Sequence, residues 1–326
     1  MTLNQVLKKA RPWLPLVGLS LLGWLLSRCD WHSIGALLGG THPAGIVVAL
    51  TLLPLNILLR VGRWQRILQL SGCPCTFRET AAAYLAGMFY GAVTPGRLGE
   101  LWRMDLIRRK GRSRPYALVA AVTDRIEDVT FLLLLAIAGV LLLLPVPVTF
   151  RSGGFIAVFV LLLLMAALVL PAIAVPWLGA FWQRVRRRFP AEDTSHDPEE
   201  SPLAIFGDRR VFFSQLGWTA AGWVAYFAAL YALSLAMGFH CAWYALVAAS
   251  AAGALSTALP ITLHGLGPRE FFMVLFLRDQ QVGMEGAVAL SMLFLAVILW
   301  NSVFWGGCGV FWQRLQEVRP PRDFAA

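Results

Sequence analysis

Apolar positions along the chain fall into long blocks parted by short polar segments, at roughly 12–27, 43–60, 79–94, 115–144, 154–178, 213–237, 243–262 and 286–312, with a shorter block at 271–277. A block of about 20 residues is the length of a helix that crosses a bilayer. Period-two alternation over ten-residue segments, which a membrane β-barrel needs, does not occur. The pattern therefore predicts an all-α polytopic membrane protein. Arginine and lysine in short loops mark the cytoplasmic side. Lys8, Lys9 and Arg11 precede the first block, so the N-terminus is inside, loop 28–42 is outside, and the second span returns to the cytoplasm at Arg60, Arg63, Arg66 and Arg78.

The block 79–94 lies between those arginines and the cations Arg97, Arg103, Arg108, Arg109, Lys110, Arg112 and Arg114. A crossing helix would carry all of the latter outside. A re-entrant hairpin turning near Thr94-Pro95-Gly96 avoids this, and non-helical backbone is tolerated at membrane depth where protein or a water-filled cavity surrounds it. From there 115–144 runs outward, 154–178 inward to Arg184 and Arg186, 213–237 outward, and 286–312 inward to Arg314, Arg319 and Arg322. The stretch 243–277 must then begin and end outside. It is read as a second hairpin, broken at Pro260 and at His264-Gly265-Leu266-Gly267-Pro268. This topology leaves Arg28, Arg151 and Arg278 outside, and Arg125 and Arg269 within the membrane.

The expectation is a single membrane domain, 1–326, of about six full spans plus two re-entrant helical hairpins. Halves 1–150 and 151–326 form an inverted repeat, and both termini are cytoplasmic. Residues 190–202, acidic and without an apolar face, predict a disordered cytoplasmic linker. Interrupted helices at matching positions of two inverted halves point to a transporter's substrate site.

Composition supports this reading: 58% of residues are hydrophobic and 14% charged, against about 25% charged in soluble domains. The net charge of +10 would suit nucleic acid. With no soluble domain to present it, the charge is read as topology, and no nucleic-acid partner is expected. Lys8 to Ser27 has the layout of a signal peptide but no small-x-small cleavage site follows, so it is read as a retained span. The five cysteines are scattered; Cys73-Pro74-Cys75 has neither a second pair nor a histidine cluster beside it, so no metal or cofactor is expected. No nucleotide-binding P-loop, HExxH or GxSxG occurs, and the chain is read as not an enzyme.

Three constellations carry candidate chemistry. In Thr94-Pro95-Gly96-Arg97-Leu98-Gly99-Glu100, Pro95 and Gly96 break the incoming helix, and Gly99 completes the turn. A helix restarting there leaves free N–H groups beside Arg97, a fitting place for a phosphate that Arg97 can grip bidentately. Arg103 follows on the same segment. The alternative is a surface turn with solvated Arg97 and Glu100. In the second segment Arg269 and Glu270 stand between two apolar runs, with Gly265 and Gly267 as turn residues. Such charges cost about 2.5–3.5 kcal/mol each in lipid, so they face a cavity or each other. His264, alone in this segment, is read as structural.

The third constellation is Thr123 to Asp128. At helical spacing Asp124, Glu127 and Asp128 share a face, and Arg125 can pair with Asp128. This cluster would bind a cationic headgroup, carry a proton, or pair with the hairpin arginines. The alternative is that 115–128 is an interfacial helix and only 129–144 spans. The candidate substrate-binding residues are thus Arg97, Glu100, Arg103, Arg269 and Glu270. Those for charge balance or proton coupling are Asp124, Arg125, Glu127 and Asp128.

The first motif, the later Leu259-Pro260 with Gly265-Leu266-Gly267 and Arg269-Glu270, and the Asp124-Arg125-x-x-Asp128 run occur in an order that resembles the membrane domain of lysylphosphatidylglycerol synthases. That flippase-like family also occurs as stand-alone membrane proteins, and the resemblance covers nearly the whole chain. Here Pro268 follows Gly-Leu-Gly where a small or apolar residue is usual, and His264 stands where glycine is common. The resemblance implies a protein that moves or presents phospholipids, aminoacylated lipids or isoprenoid-type lipids across the inner (cytoplasmic) membrane. Its partners would be membrane lipids, an anionic phospholipid or a lipid phosphate. No stretch corresponds to the synthases' soluble aminoacyl-transferase domain, so a stand-alone member is expected, and lipid aminoacylation is not. The rival readings are an intramembrane headgroup enzyme, a scaffold for an envelope-lipid enzyme, and a small-ion or metabolite carrier.

Overall fold

A computed structural model describes residues 14–70, 75–94, 99–100, 102–104, 114–143, 209–258, 265–277 and 280–317. Its helices are α1 (Leu14–Ser27), α2 (Trp31–Gly39), α3 (Pro43–Leu70), α4 (Phe77–Val93), α5 (Arg114–Leu143), α6 (Arg209–Ala236), α7 (Trp243–Ala258), α8 (Pro268–Leu277) and α9 (Gly283–Glu317). There is no strand among the described residues. Three stretches, Pro43–Leu70, Phe213–Ala236 and Gly283–Arg314, are each long and apolar enough to cross a membrane. The expected span 154–178, the linker 190–202, and Pro95, Gly96, Arg97 and His264 lie outside the described residues.

At the centre α3 and α6 run antiparallel, with Gly45 against Ala232 and Ala236 at one end and Gly62 against Trp218 towards the other. Small residues let helix backbones approach closely where lipid offers no hydrophobic drive. The flanking pairs use the same device. Helix α4 packs on α9, where Gly306 meets Phe89 and Gly309 meets Leu85, and α7 packs on α5 at Ala248 and Gly139. Helices α7 and α8 pack against each other, and α8 also touches α9 and α1. The main apolar core joins Leu230 and Leu233 of α6, Ala248 of α7, Met273 of α8 and Phe294 of α9.

Several boundaries differ from the sequence expectation. The second span was expected to end at Arg60, yet α3 continues to Leu70, because Trp64, Ile67 and Leu68 keep the helical spacing and are fully buried with Ala83 and Ala120. Loop 28–42 contains α2, whose cap Asp30 accepts from the Ser33 hydroxyl at 2.6 Å and from the His32 and Ser33 N–H groups at 3.1 Å. Those bonds, the hydroxyl's first, hold the Asp30 carboxyl below its ordinary range. Helix α5 is continuous over 30 residues and so carries Asp124 to Asp128 in its interior. Arg269 and Glu270, expected in the break, form the first turn of α8 behind Pro268, whose fixed φ and missing N–H suit that position.

Candidate functional site

Helix α4 ends where Thr94 turns extended. The Thr94 hydroxyl donates to the Tyr90 carbonyl at 2.9 Å and accepts the Gly99 N–H at 2.7 Å, folding the chain back on the helix end. Gly99 lies so close to Tyr90 that a Cβ there would stand 2.2 Å from its carbonyl oxygen. Gly91 and Gly87 leave room for the side chains of Glu100 and Arg103. Gly99→Ala is expected to push this turn off the helix, at a cost of about 1–3 kcal/mol typical of overpacking. A fall in melting temperature in detergent would register it; an unchanged melting temperature would mean that the turn is not held this tightly.

From this turn Arg103 reaches α5, donating to Asp124 Oδ2 at 2.7 Å, with its guanidinium 4.5 Å from the Trp64 ring centre and 5.1 Å from that of Tyr84. Arg63, only 1% exposed, donates Nε and one NH2 hydrogen to Asp124 Oδ1, at 3.0 and 2.5 Å. Its third nitrogen reaches Asp128 Oδ1 at 2.9 Å and the Thr219 hydroxyl of α6 at 2.8 Å. Arg60 holds Asp128 Oδ2 at 2.7 Å and lies 4.6 Å over the Trp223 ring, whose N–H donates to Asp128 Oδ1 at 3.2 Å. Arg125 pairs with Glu100. The Glu127 carboxylate stands 3.9 Å from Arg63 Nε, and its Oε2 has no hydrogen bond among the described residues. Four arginines thus meet four carboxylates.

The second broken segment builds a smaller cluster. Gly267 takes a φ of +93°, which favours glycine, and its N–H donates to Glu270 Oε2 at 2.7 Å. Arg269 donates to Glu270 Oε1 at 2.8 Å and to the Ser291 hydroxyl of α9 at 3.0 Å, and that hydroxyl donates to Glu270 Oε1 at 3.0 Å. Glu270 is completely buried and Arg269 nearly so.

Both segments open on one cavity of about 110 Å³. Its charged wall is Arg60, Arg103, Arg125, Arg269, Glu100 and Asp128. Asn56 and Asn301 add amides, and Tyr84, Trp223 and Tyr226 add rings. Of the residues the sequence singled out, Glu100, Arg103, Arg125, Asp128 and Arg269 come together here. Asp124 supports the wall through Arg103, while Glu127 and Glu270 do not line it. The expected Arg125 pairing with Asp128 is replaced by Glu100, because Arg60 and Arg63 already occupy Asp128.

Sequence reasoning took Arg60 and Arg63 for topology markers and overlooked Asn56, Thr219, Trp223 and Ser291. A signal for the arginines was present: Arg60 and Arg63 sit one helical turn apart, as do Asp124 and Asp128, and the apolar spacing continues past them through Trp64 and Ile67. No group of metal-ligating side chains occurs among the described residues.

The family model described as the lysylphosphatidylglycerol synthase TM region matches residues 14–306. No curated protein and no solved structure matches.

Proposed function

We propose that this chain, which belongs to the lysylphosphatidylglycerol synthase TM-region family, moves or presents a lipid with an anionic headgroup across the cytoplasmic membrane, as a transporter and not as an enzyme. The observation that carries this reading is the shared cavity. Glu100 and Arg103 from the first broken segment and Arg269 from the second line it together, 166 positions apart in the case of the arginines. Arginines on a cavity wall take phosphate oxygens with directed N–H groups, and the aromatic and amide side chains beside them suit the rest of a headgroup.

The packing supports an inverted repeat. The helix entering the first hairpin, α4, lies on the last span of the second half, α9, and the helix entering the second, α7, lies on the last span of the first half, α5. The corresponding spans α3 and α6 meet antiparallel between them. Helix α4, bounded by the described Thr76 and Thr94, has 17 residues, short of the roughly 20 that a full crossing needs, as a limb of a re-entrant hairpin would be. In this reading the termini and the basic loops face the cytoplasm.

Scrambling of a labelled anionic phospholipid in sealed vesicles tests the proposal. The purified protein should accelerate exchange between leaflets, and Arg60→Gln, which leaves Asp128 its bonds to Arg63 and Trp223, should slow it. A charge-assisted contact of about 1.5–3 kcal/mol corresponds to about tenfold or more in rate. Exchange equal to that of empty vesicles would sink lipid movement and favour a scaffold; turnover of the lipid would favour a headgroup enzyme.

A further inference from the structure

Helices α5 and α6 meet in a fixed register. The Trp223 N–H donates to Asp128 Oδ1 at 3.2 Å, the Thr219 hydroxyl stands beside the Glu127 carboxylate, and Val211 packs on the cluster that holds Ala120. Thr123 and Gln215, one helical turn before Glu127 and Thr219, therefore fall at one level of the seam between them. Both residues are buried. The Thr123 hydroxyl and the oxygen and nitrogen of the Gln215 amide have no hydrogen-bond partner among the described residues, and neither has Glu127 Oε2. Buried polar atoms are nearly always paired, so four such atoms along one seam mark a place where a further group binds.

Arg63 Nε, 3.9 Å from Glu127 Oε2, repels a metal cation there, and the carboxylate repels an anion. A proton fits: a protonated carboxyl presents one donor and one acceptor, which an amide and a hydroxyl can both answer. Glu127 is also the acid that can take a proton without breaking a hydrogen-bonded ion pair. Asp124 is held by Arg63 and Arg103, Asp128 by Arg60 and Arg63, Glu270 by Arg269, and Glu100 by Arg125. The charges that act on Glu127 are Arg63 of α3 and, on its own helix, Asp124 and Asp128. At this level α6 presents Thr219 and Gln215, which do not ionise, and α7, packed on α5, carries no titratable group but Tyr244. We infer that Glu127, with Thr123 and Gln215 beside it, binds a proton taken up together with the anionic headgroup. Arg63, which faces Glu127, also holds Asp128 of the cavity wall. Neutralising Glu127 removes a negative charge beside this network and strengthens the pull on an anion in the cavity. By linkage, an anion there tightens the hold on the proton by the same factor. The inference rests on the reading of the cavity as a site for an anionic lipid headgroup.

Two measurements on the full chain in detergent test it, both taken from about pH 8 down to about pH 5, where folded proteins are most stable. In infrared difference spectra a carboxylic-acid C=O band should rise as the pH falls, and Glu127→Gln should remove it. Gln215→Leu should keep the band but demand about tenfold more protons for it, a shift of about one pH unit that a merely structural residue would not cause. Labelled phosphatidylglycerol, whose phosphodiester keeps one charge over this range, should be retained about fivefold or more better at the lower pH. Glu127→Gln should retain it at the higher pH as well as the unaltered protein does at the lower. A band or a pH response that survives Glu127→Gln overturns the inference, and so does retention that follows sodium at fixed pH, which would assign the seam to a metal cation. No retention at any pH would sink the lipid reading, and the infrared band would still decide the proton site. Retention without pH dependence, and with no band, would keep the lipid reading and sink the proton site.

Discussion

Asp124→Ala is expected to be the most damaging single substitution in the protein. Its carboxylate accepts three N–H groups, two from Arg63 and one from Arg103, and both arginines are at most 3% exposed. Removing it leaves Arg103 without a carboxylate among the described residues and takes two of Arg63's bonds, leaving it Asp128 and Thr219, with both guanidinium groups away from water. Breaking a buried ion pair by deleting one partner costs about 3–5 kcal/mol, because the remaining charge is neither solvated nor compensated. Here one acid serves two cations, so the loss belongs at the upper end. Thermal unfolding in detergent should show a fall of about 10 °C or more, or yield no folded protein at all. Glu127→Ala is the control. Its carboxylate lies on the same helix but stands 3.9 Å from Arg63, and its loss should be much smaller. Equal effects at the two positions would mean that general negative charge on α5, and not the Asp124 geometry, holds the network together.

Glu270→Ala should have the second largest effect, and its partner variant separates stability from function. Glu270 is completely buried and accepts from Arg269, from the Ser291 hydroxyl and from the Gly267 N–H. Without it Arg269 loses its counter-charge and the turn into α8 loses its cap, again about 3–5 kcal/mol. The double variant Arg269→Met/Glu270→Leu removes both charges together, and replacing a buried ion pair with apolar groups is often neutral or better. It should therefore recover most of the melting temperature that Glu270→Ala loses. Lipid exchange should not recover, because Arg269 is the cation that the second segment contributes to the cavity. Recovery of both would make Arg269 a structural residue only.

Among the described residues, the all-helical membrane class, the positions of the long helices and the helix ends that flank the two interrupted segments were legible in the chain. Apolar block length relates directly to bilayer thickness, and proline and glycine restrict or release backbone angles wherever they stand. The D-R-x-x-D run and the glycine turns were visible for the same reason: they are local patterns, and the resemblance drawn from them led to the family whose model matches residues 14–306. The sequence left open whether Arg269 and Glu270 face a cavity or each other; in the structure they pair, and Arg269 also lines the cavity.

What it could not supply was the partner of a charge that lies far away along the chain. Arg63 finds Asp124 across 61 positions and Thr219 across 156. Helical periodicity says which face a residue occupies and nothing about what that face meets. Counting arginines as cytoplasmic markers said nothing of what Arg60 and Arg63 pair with, because the rule weighs charge without its compensation, and α5 brings the compensating acids only once α3, α5 and α6 have packed. The cavity is likewise a product of packing. Its wall draws on α3 through α9, and each arginine on it meets its carboxylate only where the helices that carry the two have packed or a turn has folded, an arrangement that exists only in three dimensions.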